Sequence, residues 1–160
     1  MPPGDMDTAI QELAIACRKG NLDRVKHLLA WGVDPNTEVE GEALLIRAAR
    51  GGHYMVVKQF IKAGATPTMP ALVAAVSSGN RYAVDHIADE LHFNDVNITA
   101  YPWLNVLGRR EFLEALTPEM ATWLVTHGID FEETDSFGRS ITELADKYAD
   151  PEVAQILLDG

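Results

Sequence analysis

Apolar residues recur along this chain at helical spacing, and the recurrence itself repeats. Val56, Val57, Phe60 and Ile61 fall on one side of a 3.6-residue helix, so they predict the apolar stripe of an amphipathic helix. Three times a leucine stands seven residues before a glycine: Leu13 before Gly20, Leu45 before Gly52, Leu72 before Gly79. These leucines read as core. Gly20-Asn21 precedes Gly32 by twelve residues, Gly52-His53 precedes Gly64 by twelve, and Gly32, Gly64, Gly128 and Gly160 lie at multiples of 32. A period of this length predicts a stack of two-helix units, none of which buries its stripe alone. The small pair Ala48-Ala49 lets one helix approach its neighbour closely. Cys17 takes the place of Ala49 one unit earlier and reads as a small buried residue. Thr117-Pro118-Glu119 and Asp150-Pro151-Glu152 each set a capping side chain, a proline and an acid at a helix start. Trp123 and Leu124 fall on the helix that follows Thr117 and read as core.

The words shared between units are Ala48-Ala49, Gly52-His53, Val56-Val57 and Gly64-Ala65, with Gly32-Val33-Asp34-Pro35-Asn36 closing the first unit and Asp135-Ser136-Phe137-Gly138-Arg139-Ser140-Ile141-Thr142 opening the last. On these words the chain resembles the ankyrin-repeat family, whose unit is a β-turn plus two helices of about 33 residues. The resemblance runs over nearly the whole chain. It implies an all-α solenoid of about five helix-turn-helix units with short β-hairpin loops, in a single domain of residues 1–160. The units fall near residues 9–36, 37–68, 69–96, 97–130 and 131–160. The family's Thr-Pro-Leu-His word is replaced by Ala43-Leu44-Leu45-Ile46. Only 27 residues separate Gly52 from Gly79, so a hairpin is expected to be lost or cut short near Pro67 and Pro70. Residues 109–116 read as an insertion or a lengthened helix. The middle units are therefore expected to be irregular.

Composition narrows the class of protein. At 160 residues the chain suits one domain that buries roughly 70% of its unfolded surface. No apolar run approaches the ~18 residues that span a bilayer. The start is acidic and lacks the basic and apolar regions of a secretory signal, and the single cysteine excludes an internal disulfide. These features point to the cytoplasm and leave delivery to another cell open. The net charge is −11, unevenly placed. Residues 1–64 carry eight basic and eight acidic side chains, whereas residues 65–160 carry five basic and sixteen acidic ones. Such a surface repels nucleic acid and anionic membrane and steers a basic protein toward itself, or serves only solubility. A monomer is expected.

Catalytic chemistry has no signature here. The chain holds no Gly-x-Gly-x-x-Gly, no phosphate loop and no Gly-x-Ser-x-Gly. His27, His53, His86, His92 and His127 form no His-x-x-x-His pair, and the lone cysteine builds no zinc set with them. No catalytic residue, metal or cofactor is expected.

The family resemblance instead implies recognition by a concave face made of hairpin tips and the exposed side of the inner helices. Carried onto this chain, that face comprises Asn36, Thr37, Glu38, Glu40 and Glu42 at one hairpin and Glu132, Glu133, Asp135, Ser136 and Phe137 at another. Arg18, Lys19, Arg47 and Arg50 contribute from the inner helices. Arg18 and Arg50 each lie two residues before their glycine and should stand in register. Trp103, after Tyr101 and Pro102, is of a type common at binding hot spots but suits the core of an irregular unit somewhat better. The arginines suit a solvated helix face somewhat better, since exposed charges usually do nothing specific.

The expected function is non-catalytic binding of a protein partner, burying about 800 Å² of this chain. An adaptor, a delivered effector, and an immunity or inhibitor protein that neutralises a basic toxin or enzyme all fit. An enzyme would need chemistry that no motif supplies.

Overall fold

The computed structural model describes residues 4–94 and 96–159, which leaves the landmark Gly160 outside the described residues. The chain divides into two compact units at residues 95 and 96.

The first unit is three helix pairs in succession: α1 (Met6–Lys19) with α2 (Leu22–Trp31), α3 (Leu44–Arg50) with α4 (Tyr54–Lys62), and α5 (Met69–Ser78) with α6 (Arg81–Phe93). The first helices stack as a row, α1 on α3 on α5, and the second helices form a parallel row, α2 on α4 on α6. The first row is lined with small residues: Ala9, Ala16, Cys17, Ala48, Ala49, Ala71 and Ala75 are all buried. Their size is what lets the helix backbones close on one another. Leu13, Leu45 and Leu72 are buried beside them, and Val56, Val57 and Phe60 fill the space between rows, with Ile61 at its edge.

Local signals set the helix ends. The side chains of Asp5, Asn21, Thr68 and Asn80 accept hydrogen bonds from amides in the first turns of α1, α2, α5 and α6. Each such cap is worth about 1 kcal/mol. The residues after Gly52 and Gly79 each tie a repeat to the one before it. His53 Nε2 donates to the Arg18 carbonyl at 2.9 Å, and Asn80 Nδ2 donates to the Gly52 carbonyl at 2.7 Å.

A two-stranded antiparallel hairpin precedes α3, with β1 (Glu38–Val39) paired to β2 (Glu42–Ala43). Its turn residues Glu40 and Gly41 have φ of 56° and 78°, the geometry of a two-residue turn whose twist matches the strands. Between α4 and α5 no strand forms among the described residues. Asn36 bridges that connection instead, donating to the Gly64 carbonyl at 3.3 Å and accepting from the Thr66 amide at 2.8 Å.

The second unit opens with a 3-10 turn (Ile98–Ala100), followed by α7 (Leu104–Leu107), α8 (Arg110–Ala115), α9 (Pro118–Thr126), α10 (Ile141–Tyr148) and α11 (Pro151–Asp159). Helix α8 occupies the stretch read as an insertion or lengthened helix. Thr117 caps α9 by accepting from the Met120 amide at 3.2 Å, and Asp150 accepts from the Glu152 amide at 3.0 Å at the start of α11. Helix α11 packs on α9 and α10, and α10 packs on α8. Trp103, Leu107, Leu113, Met120, Trp123, Leu124, Ile141 and Leu157 are buried.

Candidate protein-binding surface

Helix α3 begins directly where β2 ends, so its first two turns carry Arg47 and Arg50 back toward the hairpin. Arg50 grips Glu42 with both terminal nitrogens, Nη1 to Oε1 at 2.9 Å and Nη2 to Oε2 at 2.5 Å. Arg47 Nη2 donates to the Val39 carbonyl at 3.2 Å and lies 3.8 Å from Glu40 Oε2. Arg47 Nε is buried without a hydrogen-bond partner, 3.6 Å from Glu42 Oε1. The hydrogen bond from Arg50, reinforced by the charges of Arg50 and Arg47, holds the Glu42 carboxyl below the usual glutamate range. Partly exposed pairs of this kind contribute about 0.2–1 kcal/mol each, so the gain is mainly a fixed hairpin orientation.

These residues line an open cleft of about 490 Å³ together with Arg18, Glu40 and Gly51. Arg18 and Arg50 are both exposed and border the same cleft, one from α1 and one from α3. Arg18 forms no ion pair with any described residue, so its guanidinium is the cation left uncommitted there. Glu38 is exposed at the start of β1 and does not line the cleft.

In the second unit, Glu132, Glu133 and Phe137 are exposed and Asp135 is half-buried, all on the loop between α9 and α10. Trp103 is corrected. It is 2% exposed, and its indole Nε1 donates to the Ile98 carbonyl at 2.8 Å, so it is a core residue and not part of a binding surface. The 3-10 turn supplies the carbonyl that a buried indole requires.

An exposed aromatic group escaped the sequence reading. Tyr82 on α6 is 70% exposed, and its ring centroid lies 5.8 Å from that of Tyr54 on α4; Tyr54 in turn meets His86 edge-on at 6.2 Å. Tyr82 and His86 share a face of α6, but only the stacking of α4 on α6 brings Tyr54 to them, so no spacing within one helix announces the group. Among the described residues no three His, Cys, Asp or Glu side chains are grouped to hold a metal ion. No described helix is long and apolar enough to cross a membrane.

No curated protein matches this chain significantly. A family model described as ankyrin repeats (3 copies) matches residues 13–100, more than half of the chain and nearly all of the three stacked helix pairs. With repeat spacing, helix pairing and family match in agreement, the chain belongs to the ankyrin-repeat family, whose members are generally non-catalytic protein-interaction modules.

Proposed function

We propose that this chain binds a partner protein in the cleft between α1 and the β1–β2 hairpin, on the inner face of the repeats, and performs no catalysis. The reading takes the chain as about five ankyrin-like units in one domain. The observation that carries it is the uncommitted Arg18 guanidinium beside Arg47 and Arg50, whose charges are already engaged by hairpin carboxylates. A carboxylate on the partner meets Arg18, while the hairpin offers a fixed wall beside it. Arginine in a partly shielded cleft is among the side chains that dominate interface energetics.

The test uses the full chain to capture partners, followed by titration calorimetry with the purified partner. Arg18→Glu should weaken binding about tenfold or more while leaving the helical circular dichroism unchanged. The double change Arg47→Glu with Arg50→Glu should also weaken it. Lys58→Glu with Lys62→Glu, on α4, should not. Equal losses from the α4 variant and from Arg18→Glu would defeat the cleft as the binding face.

A second reading follows from charge. Residues 96–160 carry twelve acidic and four basic side chains, so a basic partner, such as a toxin or enzyme held inactive, would be drawn to this unit. Neutralising Glu132, Glu133 and Asp135 should then lower the association rate and flatten its salt dependence. A salt-independent association rate would leave the acidity as a solubility feature.

A further inference from the structure

Phe137 is 80% exposed, more than any other large apolar side chain among the described residues. It sits on a loop that is tied at its tip and at its base. Asp135 organises the tip. Its Oδ1 accepts from the amides of Phe137 and Arg139, both at 2.9 Å, and its Oδ2 accepts from Arg139 Nε at 3.0 Å. The backbone closes the same turn: the Asp135 amide donates to the Arg139 carbonyl at 2.9 Å, and the Gly138 amide donates to the Asp135 carbonyl at 3.0 Å. Below the tip, Thr134 and Ser140 form an antiparallel bridge, and the Ile141 amide donates to the Phe131 carbonyl at 3.0 Å. Thr142 Oγ1 fixes the side of the loop by donating to Glu132 Oε1 at 2.8 Å. The Arg139 guanidinium lies 5.0 Å from the centroid of the Phe137 ring.

An aromatic side chain on a free loop would lose conformational freedom on binding, and that loss would offset much of the contact energy. Here the loop is already ordered by its own hydrogen bonds, so the ring is presented in advance. Beyond Arg139, whose charge Asp135 offsets, the loop is acidic: Glu132 and Glu133 are exposed on it, in a unit with twelve acids and four bases.

We propose that Phe137 is a preorganised anchor that inserts into an apolar pocket on a partner protein, a pocket rimmed by lysine or arginine side chains. The ring supplies the apolar contact, and the loop carboxylates meet the basic rim. The inference rests on the reading of this chain as a protein-binding module, but not on the Arg18 cleft.

Two arms test it with the full chain. In the first, NMR follows a β-cyclodextrin whose rim carries ammonium groups, an apolar cavity ringed by positive charge. It should shift the Phe137 ring protons and the amides of residues 136–139, bind about threefold more tightly than neutral β-cyclodextrin at low salt, and lose these effects in Phe137→Ala. Absence of binding, or binding unchanged in Phe137→Ala, would overturn the proposal.

In the second arm, photoreactive p-benzoyl-phenylalanine replaces Phe137, with the same substitution at the exposed Tyr82 as control. Cross-links from position 137 should fall in an apolar pocket flanked by basic residues on one partner, and Phe137→Ala should weaken that purified partner about 30-fold. No adduct, adducts only to a second copy of this chain, or the same adducts from position 82 would each overturn it. If Phe137→Ala binds like the parent while Arg18→Glu does not, the anchor fails and the cleft stands. The opposite pattern retains the anchor and removes the cleft.

Discussion

The His53 imidazole reaches from one repeat to the last turn of the preceding repeat's first helix, donating from Nε2 to the Arg18 carbonyl at 2.9 Å. A carbonyl only accepts, so this contact sets the tautomer with the proton on Nε2. The ring also occupies space that glycine leaves open. A Cβ on Gly20 would lie 2.5 Å from His53 Nδ1, and one on Gly51 would lie 2.7 Å from Cδ2. Gly20, Gly51 and His53 are therefore one packing unit spanning two repeats.

Gly20→Ala should destabilise the protein by about 1–3 kcal/mol, through a φ of 75° and the clash with His53. Gly41→Ala, at a similar φ of 78°, meets no atom within 4 Å and should cost less, since only its backbone angle is unfavourable. Urea denaturation measures both. Combining Gly20→Ala with His53→Ala should cost less than the sum of the single changes. Simple additivity would show that the ring does not exclude the Cβ.

Ala48 is fully buried where α3 lies between α1 and α5. Ala48→Leu should cost about 1–3 kcal/mol by forcing these helices apart. A neutral change in thermal unfolding would mean that the row is looser than its small residues imply.

Glu42 titrates below the usual glutamate value near 4.5, chiefly because Arg50 hydrogen-bonds to its ionised form. A depressed carboxyl stabilises the fold fully above its unfolded pKa and loses that contribution as pH falls through its folded pKa. Glu42→Gln should therefore lower the melting temperature at neutral pH, with the difference from the parent shrinking as pH drops below about 4. A difference that stays constant down to pH 3 would exclude the ion pair as its source.

Cys17 is fully buried, and burial pushes its thiol up to about 12. At pH 8 a thiol reagent should label the native chain at least about 100-fold more slowly than an unfolded control. The labelling rate should rise in Gly20→Ala in step with its loss of stability. Rapid labelling of the native chain would place Cys17 at a surface.

The repeat period, the small pair Ala48-Ala49 and the helix starts at Thr117 and Asp150 were all legible in the chain. Each depends on spacing within one unit or on a hydrogen bond spanning three residues, as at Thr117 and Met120. The core positions Leu13, Leu45, Leu72 and Cys17 followed from alignment of one repeat on the next. The arginines' register could be counted, but their state could not. Arg50 and Glu42 are eight residues apart and meet only because a hairpin folds back onto a helix, a separation with no helical or strand rule. Trp103 could be read as core or as surface because its unit has no regular stripe, and the Ile98 carbonyl of the 3-10 turn supplies the acceptor that its buried indole requires. The Asp135 loop was recognisable as a turn, yet its rigidity arises from one carboxylate accepting three hydrogen bonds at once. Periodic, short-range chemistry thus determined the family and the helix rows. Which charges are committed, which aromatic is hidden and which is presented were decided in three dimensions, because each depends on how a hairpin, a turn or a loop folds back on itself or against a helix.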